Sequence, residues 1–141
     1  MSAYLDASVL LPVLIEEPSS AAVDAYLLDN EQELLVGDFA AAEVASALSR
    51  LVRTGRLDAN DAAARLADFD LWRAAASSAV DVHGSDARVA NIYVRRFDLK
   101  LRAPDALHLA IARRMDATLV TLDRRLASAA RALDVRVEQP A

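Results

Sequence analysis

Residues 33–54 read ELLVGDFAAAEVASALSRLVRT, and this stretch indicates how the fold is built. Glu33–Gly37 is typical of a short strand ended by glycine, and Asp38 is a good N-cap for a helix that runs to about Thr54. Apolar residues recur along that helix at the spacing of one buried face: Val44, Leu48, Leu51 and Val52. The chain therefore passes from strand to helix with almost no loop.

The same alternation of short strands and longer helices continues in both directions. The other predicted strands are Ser2–Asp6, Ala79–His83, Ala117–Thr121 and Val135–Val137. The other predicted helices are Ala7–Glu17, Ser19–Asn30, Asp58 to about Ala76, Ser85–Leu99, Arg102 through Met115 and Asp123–Leu133. The helix over 85–99 is expected to turn Val89, Ile92, Tyr93 and Phe97 inward. This order predicts an α/β fold: one three-layer α/β/α domain over residues 1–141, with a short-stranded, mostly parallel central sheet.

The amino-acid composition excludes several kinds of functional site. With 141 residues, 55% of them apolar, the chain can bury a core without covalent staples. Cysteine is absent, which excludes disulfides, cysteine–zinc sites and thiol catalysis, and two histidines make a histidine-rich metal site improbable. A net charge of −5 disfavours nucleic-acid binding by bulk electrostatics. No export or membrane signal is visible before Arg50, the first basic side chain, so a cytoplasmic protein without membrane association is expected.

Four acidic residues are expected on one rim of the sheet. Asp6 ends the first predicted strand and Asp123 follows the fourth by two residues, so both belong to the carboxyl edge, where ligands of such sheets bind. The helices that carry Glu43 and Asp105 must begin at the same edge. The four side chains can meet only if the first and fourth strands are neighbours.

Capping alone explains three of these acids, because carboxylates are favourable at helix starts. Glu43 fits that interpretation worst, since Ala40, Ser46 and Ala47 offer it no counter-charge. Four like charges on one rim would repel, and a divalent cation or raised pKa values would relieve the repulsion. Because the candidate ligands are carboxylate oxygens, they indicate a site for Mg²⁺ or Mn²⁺. Such a site is typical of proteins that catalyse phosphoryl-group reactions. The Ser8 and Thr121 hydroxyls are candidates to hold a carboxylate or a metal-bound water, or are ordinary strand-end residues.

Four segments together resemble a PIN domain and, more narrowly, the VapC toxins of type II toxin–antitoxin pairs. They are Tyr4-Leu-Asp-Ala-Ser8, the isolated Glu43, Leu101-Arg-Ala-Pro-Asp-Ala-Leu-His-Leu-Ala110 and Leu119-Val-Thr-Leu-Asp-Arg-Arg-Leu-Ala-Ser-Ala-Ala130. The resemblance covers essentially the whole chain, and the last two segments are its specific parts.

The resemblance implies a metal-dependent endoribonuclease. It implies that Asp6, Glu43, Asp105 and Asp123 form the acidic set that binds Mg²⁺ or Mn²⁺. Water would attack the phosphodiester and leave 5′-phosphate and 3′-hydroxyl ends. It further implies a homodimer and silencing by a cognate VapB-like antitoxin.

Arginine supplies almost all the positive charge, and Lys100 is the single lysine. Arg102, Arg124 and Arg125 lie next to the acids in sequence and are candidates to contact RNA or antitoxin, or are solvated. Two further features have ordinary structural explanations that we favour. A solvated helix face explains Arg50, Arg53 and Arg56, and a core or helix-surface position explains His108.

Other functions remain open at this stage. A phosphohydrolase with a covalent aspartyl intermediate usually has a second acid two residues after the nucleophile, and Ser8 occupies that position. A receiver-type signalling domain needs a lysine after a late strand, whereas Lys100 precedes a helix. A catalytically inactive scaffold, whose acids only cap helices, is the remaining alternative.

Overall fold

The computed structural model describes residues 1–141 and has a five-stranded sheet at its centre, in the order β3-β2-β1-β4-β5. The strands are β1 (Ser2–Leu5), β2 (Glu33–Gly37), β3 (Ser78–Val80), β4 (Thr118–Val120) and β5 (Val137–Glu138). Every neighbouring pair is parallel, which confirms the predicted α/β class. In register, Tyr4 lies between Leu35 of β2 and Leu119 of β4.

Seven α-helices surround the sheet. They are α1 (Ala7–Leu14), α2 (Ser20–Asp29), α3 (Asp38–Arg53), α4 (Ala59–Ala76), α5 (Gly84–Val94), α6 (Ala103–Arg114) and α7 (Arg124–Ala132). A single 3₁₀ turn, Phe97–Leu99, connects α5 to α6. None of these helices combines the length and the apolar character that a membrane-spanning helix requires.

Alternate strand residues build two separate cores, one on each face of the sheet. Tyr4 and Leu119 pack with α5, α6 and α7, whereas Ala3, Leu5 and Val120 pack with α1 to α4. The period of two along a strand produces this division, because successive side chains point to opposite faces. The predicted three layers are therefore present, and the sheet is buried on both sides.

The predicted strand Ala79–His83 is wrong at its end, because β3 stops at Val80. The side chain of Asp86 accepts a hydrogen bond of 2.8 Å from the backbone N–H of His83. This bond makes His83 the N-cap of α5, so the residue has left the sheet.

The predicted helix Ser85–Leu99 is also wrong in its last third. α5 ends at Val94, and the chain continues in the 3₁₀ turn, so helical spacing no longer carries Phe97 to the core; its side chain is 85% exposed. Ile92, which we predicted to face inward, is 64% exposed because α5 presents Ala90 and Tyr93 to the core instead.

Helix and strand ends differ elsewhere by a few residues. Gly37 is the N-cap of α3, whereas the predicted cap, Asp38, lies in the first turn and pairs with Arg73 at 2.6 Å. The first helix ends at Leu14 and not at Glu17. The last strand is shifted toward the C-terminus relative to the predicted Val135–Val137, and Val135 packs in the core before it begins.

An ion pair between the buried carboxylate of Asp86 and the partly exposed guanidinium of Arg114 holds the start of α5 against α6. Arg114 donates two hydrogen bonds to Asp86, at 2.8 and 2.9 Å, and one of 2.7 Å to the carbonyl of Asp81. Burial of Asp86 acts to raise its pKa, but the bonds from Arg114 and from the His83 N–H outweigh burial and lower the pKa. The ionised carboxylate therefore stabilises the fold.

Asp86→Asn should lower the free energy of unfolding by about 3 kcal/mol at pH 7, because it leaves the Arg114 guanidinium without its charge partner. A depressed pKa contributes stability above the ordinary value of 3.8, and that contribution is lost as pH falls through the folded-state pKa. The difference should therefore shrink toward zero as the pH falls below 3.8 and through the lower folded-state pKa. Urea titrations of both proteins at several pH values measure it.

Asp98→Asn is the matched control, since Asp98 pairs with Arg96 on the surface. It should leave the unfolding free energy nearly unchanged at every pH. Equal losses for the two variants would contradict a stabilising role of the buried pair.

Candidate active site

β1 and β4 are direct neighbours, which is the condition that the acidic rim requires. From β1 the chain continues to β2, which lies on one side of β1 in the sheet, whereas β4 lies on the other side. A crevice therefore opens at the carboxyl ends of β1 and β4. Asp6 follows β1 at this edge, and Asp123 is the N-cap of α7 after β4. Asp105 lies in the first turn of α6.

Asp6 is the most deeply placed of the acids, with 4% of its surface exposed. The Ser8 hydroxyl donates to its Oδ1 and the Thr121 hydroxyl to its Oδ2, both at 2.5 Å. Burial raises the pKa of Asp6, and the two hydroxyl bonds, together with the Val9 N–H and nearby His108, act to lower it. Both carboxylate oxygens are thus fixed by groups that favour the ionised form.

The same two hydroxyls tie Asp6 to the chain that follows β4. The Ser8 oxygen accepts the Leu122 N–H at 2.9 Å, and the Thr121 oxygen accepts the Asp123 N–H at 3.0 Å. Asp123 in turn caps α7, because its Oδ1 accepts two backbone N–H groups at 2.9 and 3.1 Å. Asp6 and Asp123 therefore do cap helices, as the simple structural explanation predicts. Capping does not account for the two hydroxyl bonds to Asp6.

Asp105 is close enough to two of the other carboxylates for their charges to act on it. Its side chain is partly buried and forms no ion pair. Burial raises the pKa of Asp105, and the negative charges of Asp123 and Asp6 raise it further, against the opposing effects of Arg102 and His108. The structure therefore brings these acids within electrostatic reach of one another.

Glu43 is linked to α6 through a contact with His108 that the sequence analysis missed. Nε2 of His108 bonds to Oε1 of Glu43, and Nδ1 of His108 lies 2.7 Å from the Tyr4 hydroxyl. His108 is 2% exposed, so the predicted core position is right, but the residue also contacts a candidate site residue. The available signal was its spacing of three from Asp105, which places both on one face of α6.

Whether the acidic residues suit a metal ion depends on the donor atoms and charges that they offer. None of Asp6, Asp105 and Asp123 pairs with a lysine or arginine, and Glu43 pairs only with His108. In this arrangement no three Asp, Glu or His side chains form a common metal-binding cluster. Oxygen donors with uncompensated charge nevertheless suit Mg²⁺ or Mn²⁺, which bind through one or two carboxylates and retain waters.

A groove of about 900 Å³ opens beside Glu43, between α1 and α3. Four arginines line it: Arg50, Arg53, Arg56 and Arg102. The first three are exposed, as the solvated-face interpretation predicts, but Arg56 lies beyond the end of α3 at Arg53 and so is not on the helix face. That interpretation also missed that the three share a groove with a candidate site residue. Their i, i+3, i+6 spacing was the signal.

Arg124 and Arg125 lie elsewhere. They line a separate depression of about 410 Å³ together with Lys100. Of the three arginines that the sequence analysis named as candidate contacts to RNA or antitoxin, only Arg102 therefore shares the groove with Glu43.

Comparison with known proteins gives consistent matches. The family model for the PIN domain matches residues 3–132. Ribonuclease VapC46 of Mycobacterium tuberculosis is 31% identical over 146 residues, which cover 97% of this chain and 96% of that protein.

Solved structures share the fold at low identity. VapC20 of Mycobacterium tuberculosis, a sarcin-ricin loop cleaving toxin, matches with a TM-score of 0.74 at 15% identity, over 90% of this chain and 94% of that one. VapBC2 of Rickettsia felis, bound to a fragment of promoter DNA, matches with a TM-score of 0.73 at 15% identity, over 99% of this chain and 98% of that one.

Asp105→Asn should raise the thermal unfolding midpoint at pH 7 in the presence of EDTA, because it removes a partly buried charge that its neighbours repel. A raised folded-state pKa means that this penalty is full above that pKa and disappears below the ordinary value of 3.8. Addition of Mn²⁺ should stabilise the wild type more than the variant. Thermal scans with and without the metal measure both effects.

Asp24→Asn on the exposed surface of α2 makes the same charge change away from the rim. It should respond to Mn²⁺ as the wild type does. If Asp105→Asn destabilises the metal-free protein, or gains as much as the wild type from Mn²⁺, the electrostatic account of the rim is incorrect.

Proposed function

The chain belongs to the PIN domain family, and we propose that it is a metal-dependent endoribonuclease, the toxin of a VapBC-type toxin–antitoxin pair. One observation carries the proposal: Asp6, Asp105 and Asp123 lie at the carboxyl edge beside the junction of β1 and β4, the charges of Asp6 and Asp123 raise the pKa of Asp105, and no lysine or arginine forms an ion pair with any of the three. A nuclease that uses a divalent cation needs such a site. The 31% identity to a ribonuclease over nearly the whole chain supports the same activity.

We assign metal binding to Asp6, Glu43, Asp105 and Asp123. These residues would hold Mg²⁺ or Mn²⁺, which would supply an activated water and neutralise charge on the phosphodiester. The residues of this chain hold the donors in place. Ser8 and Thr121 fix both oxygens of Asp6, and their hydrogen bonds oppose the rise in its pKa that burial causes.

The arginine-lined groove is the proposed path of the RNA backbone. Guanidinium groups bind phosphate through paired hydrogen bonds, and a row of them neutralises successive phosphates. The row along α3 and Arg102 line the same groove as Glu43, so a strand bound there would extend toward the acidic rim. Local arginine density thus offsets the net charge of −5.

Partners follow from the same assignment. The fold matches structures of VapBC complexes, which supports a VapB-like antitoxin for this chain, and a homodimer is proposed with it. The proposed RNA substrate supports a cytoplasmic location, which we propose with it. Arg124 and Arg125, with Lys100, are a second candidate surface for RNA or antitoxin.

Purified protein should cleave RNA in the presence of Mg²⁺ or Mn²⁺ and lose this activity in EDTA. Asp6→Asn should reduce kcat/KM at least about a hundredfold, since loss of metal-derived charge stabilisation removes several kcal/mol at the transition state. Gel analysis of labelled structured RNAs measures the cleavage.

Asp24→Asn serves as the matched control and should cleave at the wild-type rate, because it lies on the outer surface of α2. Cleavage that persists in EDTA, or survives in the Asp6 variant, would point to a contaminating ribonuclease. A wild type that cuts none of a broad set of RNAs would favour the inactive scaffold.

Arg50→Gln combined with Arg53→Gln should raise KM for RNA about tenfold with little change in kcat, since both guanidinium groups bind phosphates without touching the chemistry. The dependence of log K on log salt should become shallower by about one for each phosphate that the variant no longer neutralises. Binding of RNA to the Asp6→Asn protein, with and without the arginine substitutions, at several salt concentrations measures the slope.

Arg88→Gln combined with Arg131→Gln removes the same charge from exposed positions on α5 and α7, outside the groove. This pair should leave both KM and the salt slope near the wild-type values. Equal effects of the two double variants would mean that net charge, and not the groove, controls RNA binding.

A further inference from the structure

We propose that His108 is a positioning residue, which, held by Tyr4, fixes one oxygen of the Glu43 carboxylate and leaves the other free to bind a metal ion. This inference rests on the proposed function of the acidic rim. It goes further by assigning a role to two residues, His108 and Tyr4, that contact none of the other three carboxylates through a hydrogen bond.

Three elements meet at the imidazole. Tyr4 lies on β1, His108 on α6 and Glu43 on α3, and the hydrogen bonds run from the Tyr4 hydroxyl to Nδ1 and from Nε2 to Glu43. The rings of Tyr4 and Phe39 lie against the imidazole, with centroids 5.7 and 5.3 Å away. The ring is therefore held by packing as well as by both of its nitrogens.

Gly37 shows how closely the Tyr4 hydroxyl is confined. A Cβ atom at this position would lie 3.0 Å from the Tyr4 oxygen, so a side chain there would force the phenol to shift. Gly37 is also the N-cap of α3, the helix that carries Glu43 nearly two turns later. The phenol, the imidazole and the carboxylate are thus placed by the same junction between β2 and α3.

The bonding pattern selects one tautomer of His108. An ionised carboxylate only accepts hydrogen bonds, so Nε2 must carry the hydrogen that it donates to Glu43. A neutral imidazole then has Nδ1 as an acceptor, and the phenol O–H of Tyr4 is the donor that matches it. Tyr4 therefore sets which way the imidazole is bonded, and His108 sets the orientation of Glu43.

Glu43 needs this support because its own helix gives it none. The neighbours at positions 40, 46 and 47 are uncharged, and its side chain is 30% exposed. His108 holds Oε1 and leaves Oε2 without a hydrogen-bond donor from the protein. Partners that orient metal ligands in this way change metal affinity or activity by about 10- to 100-fold when they are removed.

Two substitutions separate positioning from simple packing. The amide nitrogen of glutamine reaches the position of Nε2, whereas the shorter side chain of asparagine reaches only that of Nδ1. His108→Gln should therefore keep the donor to Glu43, and His108→Asn should keep a partner for Tyr4 but lose Glu43. Each variant loses one of two buried hydrogen bonds, so their thermal midpoints should be similar.

The readout is Mn²⁺ binding by calorimetry on RNA-free protein, with RNA cleavage measured in parallel. His108→Asn should weaken Mn²⁺ binding and lower kcat/KM by about 10- to 100-fold. His108→Gln should stay within about threefold of the wild type, the rescue that packing alone does not predict. In the Glu43→Gln background, His108→Asn should have no further effect on Mn²⁺ affinity.

Nitrogen NMR of the His83→Gln protein, in which His108 is the one remaining histidine, should show the Nε2–H tautomer. The Nδ1–H tautomer, a wild type without Mn²⁺ affinity, or equal Mn²⁺ affinity in the two His108 variants would overturn the inference. A wild type that binds Mn²⁺ in this His108-dependent way but cuts no RNA would instead refute the proposed ribonuclease and leave the positioning role standing.

Discussion

Repulsion among carboxylates gathered at the carboxyl ends of β1 and β4 is the constraint on which the rest of this structure depends. The fold does not relieve it with lysine or arginine, since Asp6, Asp105 and Asp123 form no ion pair. It relieves it in part with neutral donors: hydroxyls on Asp6, backbone N–H groups on Asp123 and an imidazole on Glu43. Neutral donors hold carboxylates in place and leave their charge available to a cation.

Positive charge is kept nearby but separate. The arginines along α3 line the groove beside Glu43 and pair with none of the four acids, so the protein offers a cationic surface next to an anionic centre. Such an arrangement suits an extended polyanion whose backbone must approach a metal, because local potentials, and not net charge, guide its binding. The Asp86–Arg114 pair lies on the face of the sheet opposite to α3. It differs from the acidic rim because its two charges neutralise each other and fix α5 against α6.

The sequence predicted the strand-helix order, the parallel sheet and the edge to which the four acids belong. These features follow from local patterns and from connectivity, which a single chain carries in full. Prediction failed where a neighbour decides the outcome. Nothing near Phe97 in sequence shows that α5 ends at Val94, and nothing near Ile92 shows that α6 packs against Ala90 and Tyr93 instead. The His108–Glu43 contact was equally hidden, because 65 residues separate its partners.

The sequence by itself determined which residue types were available: four acids without neighbouring lysines, no cysteine, and a row of arginines at helical spacing. Only the tertiary structure decided that β1 lies beside β4, that both oxygens of Asp6 are held by hydroxyls, and that the arginines of α3 share a groove with Glu43. The physical reason is the distance along the chain over which each effect acts. Periodicity and capping act within a few residues along the chain, whereas burial, carboxylate repulsion and hydrogen bonding act between whatever groups the packing of helices on the sheet brings together.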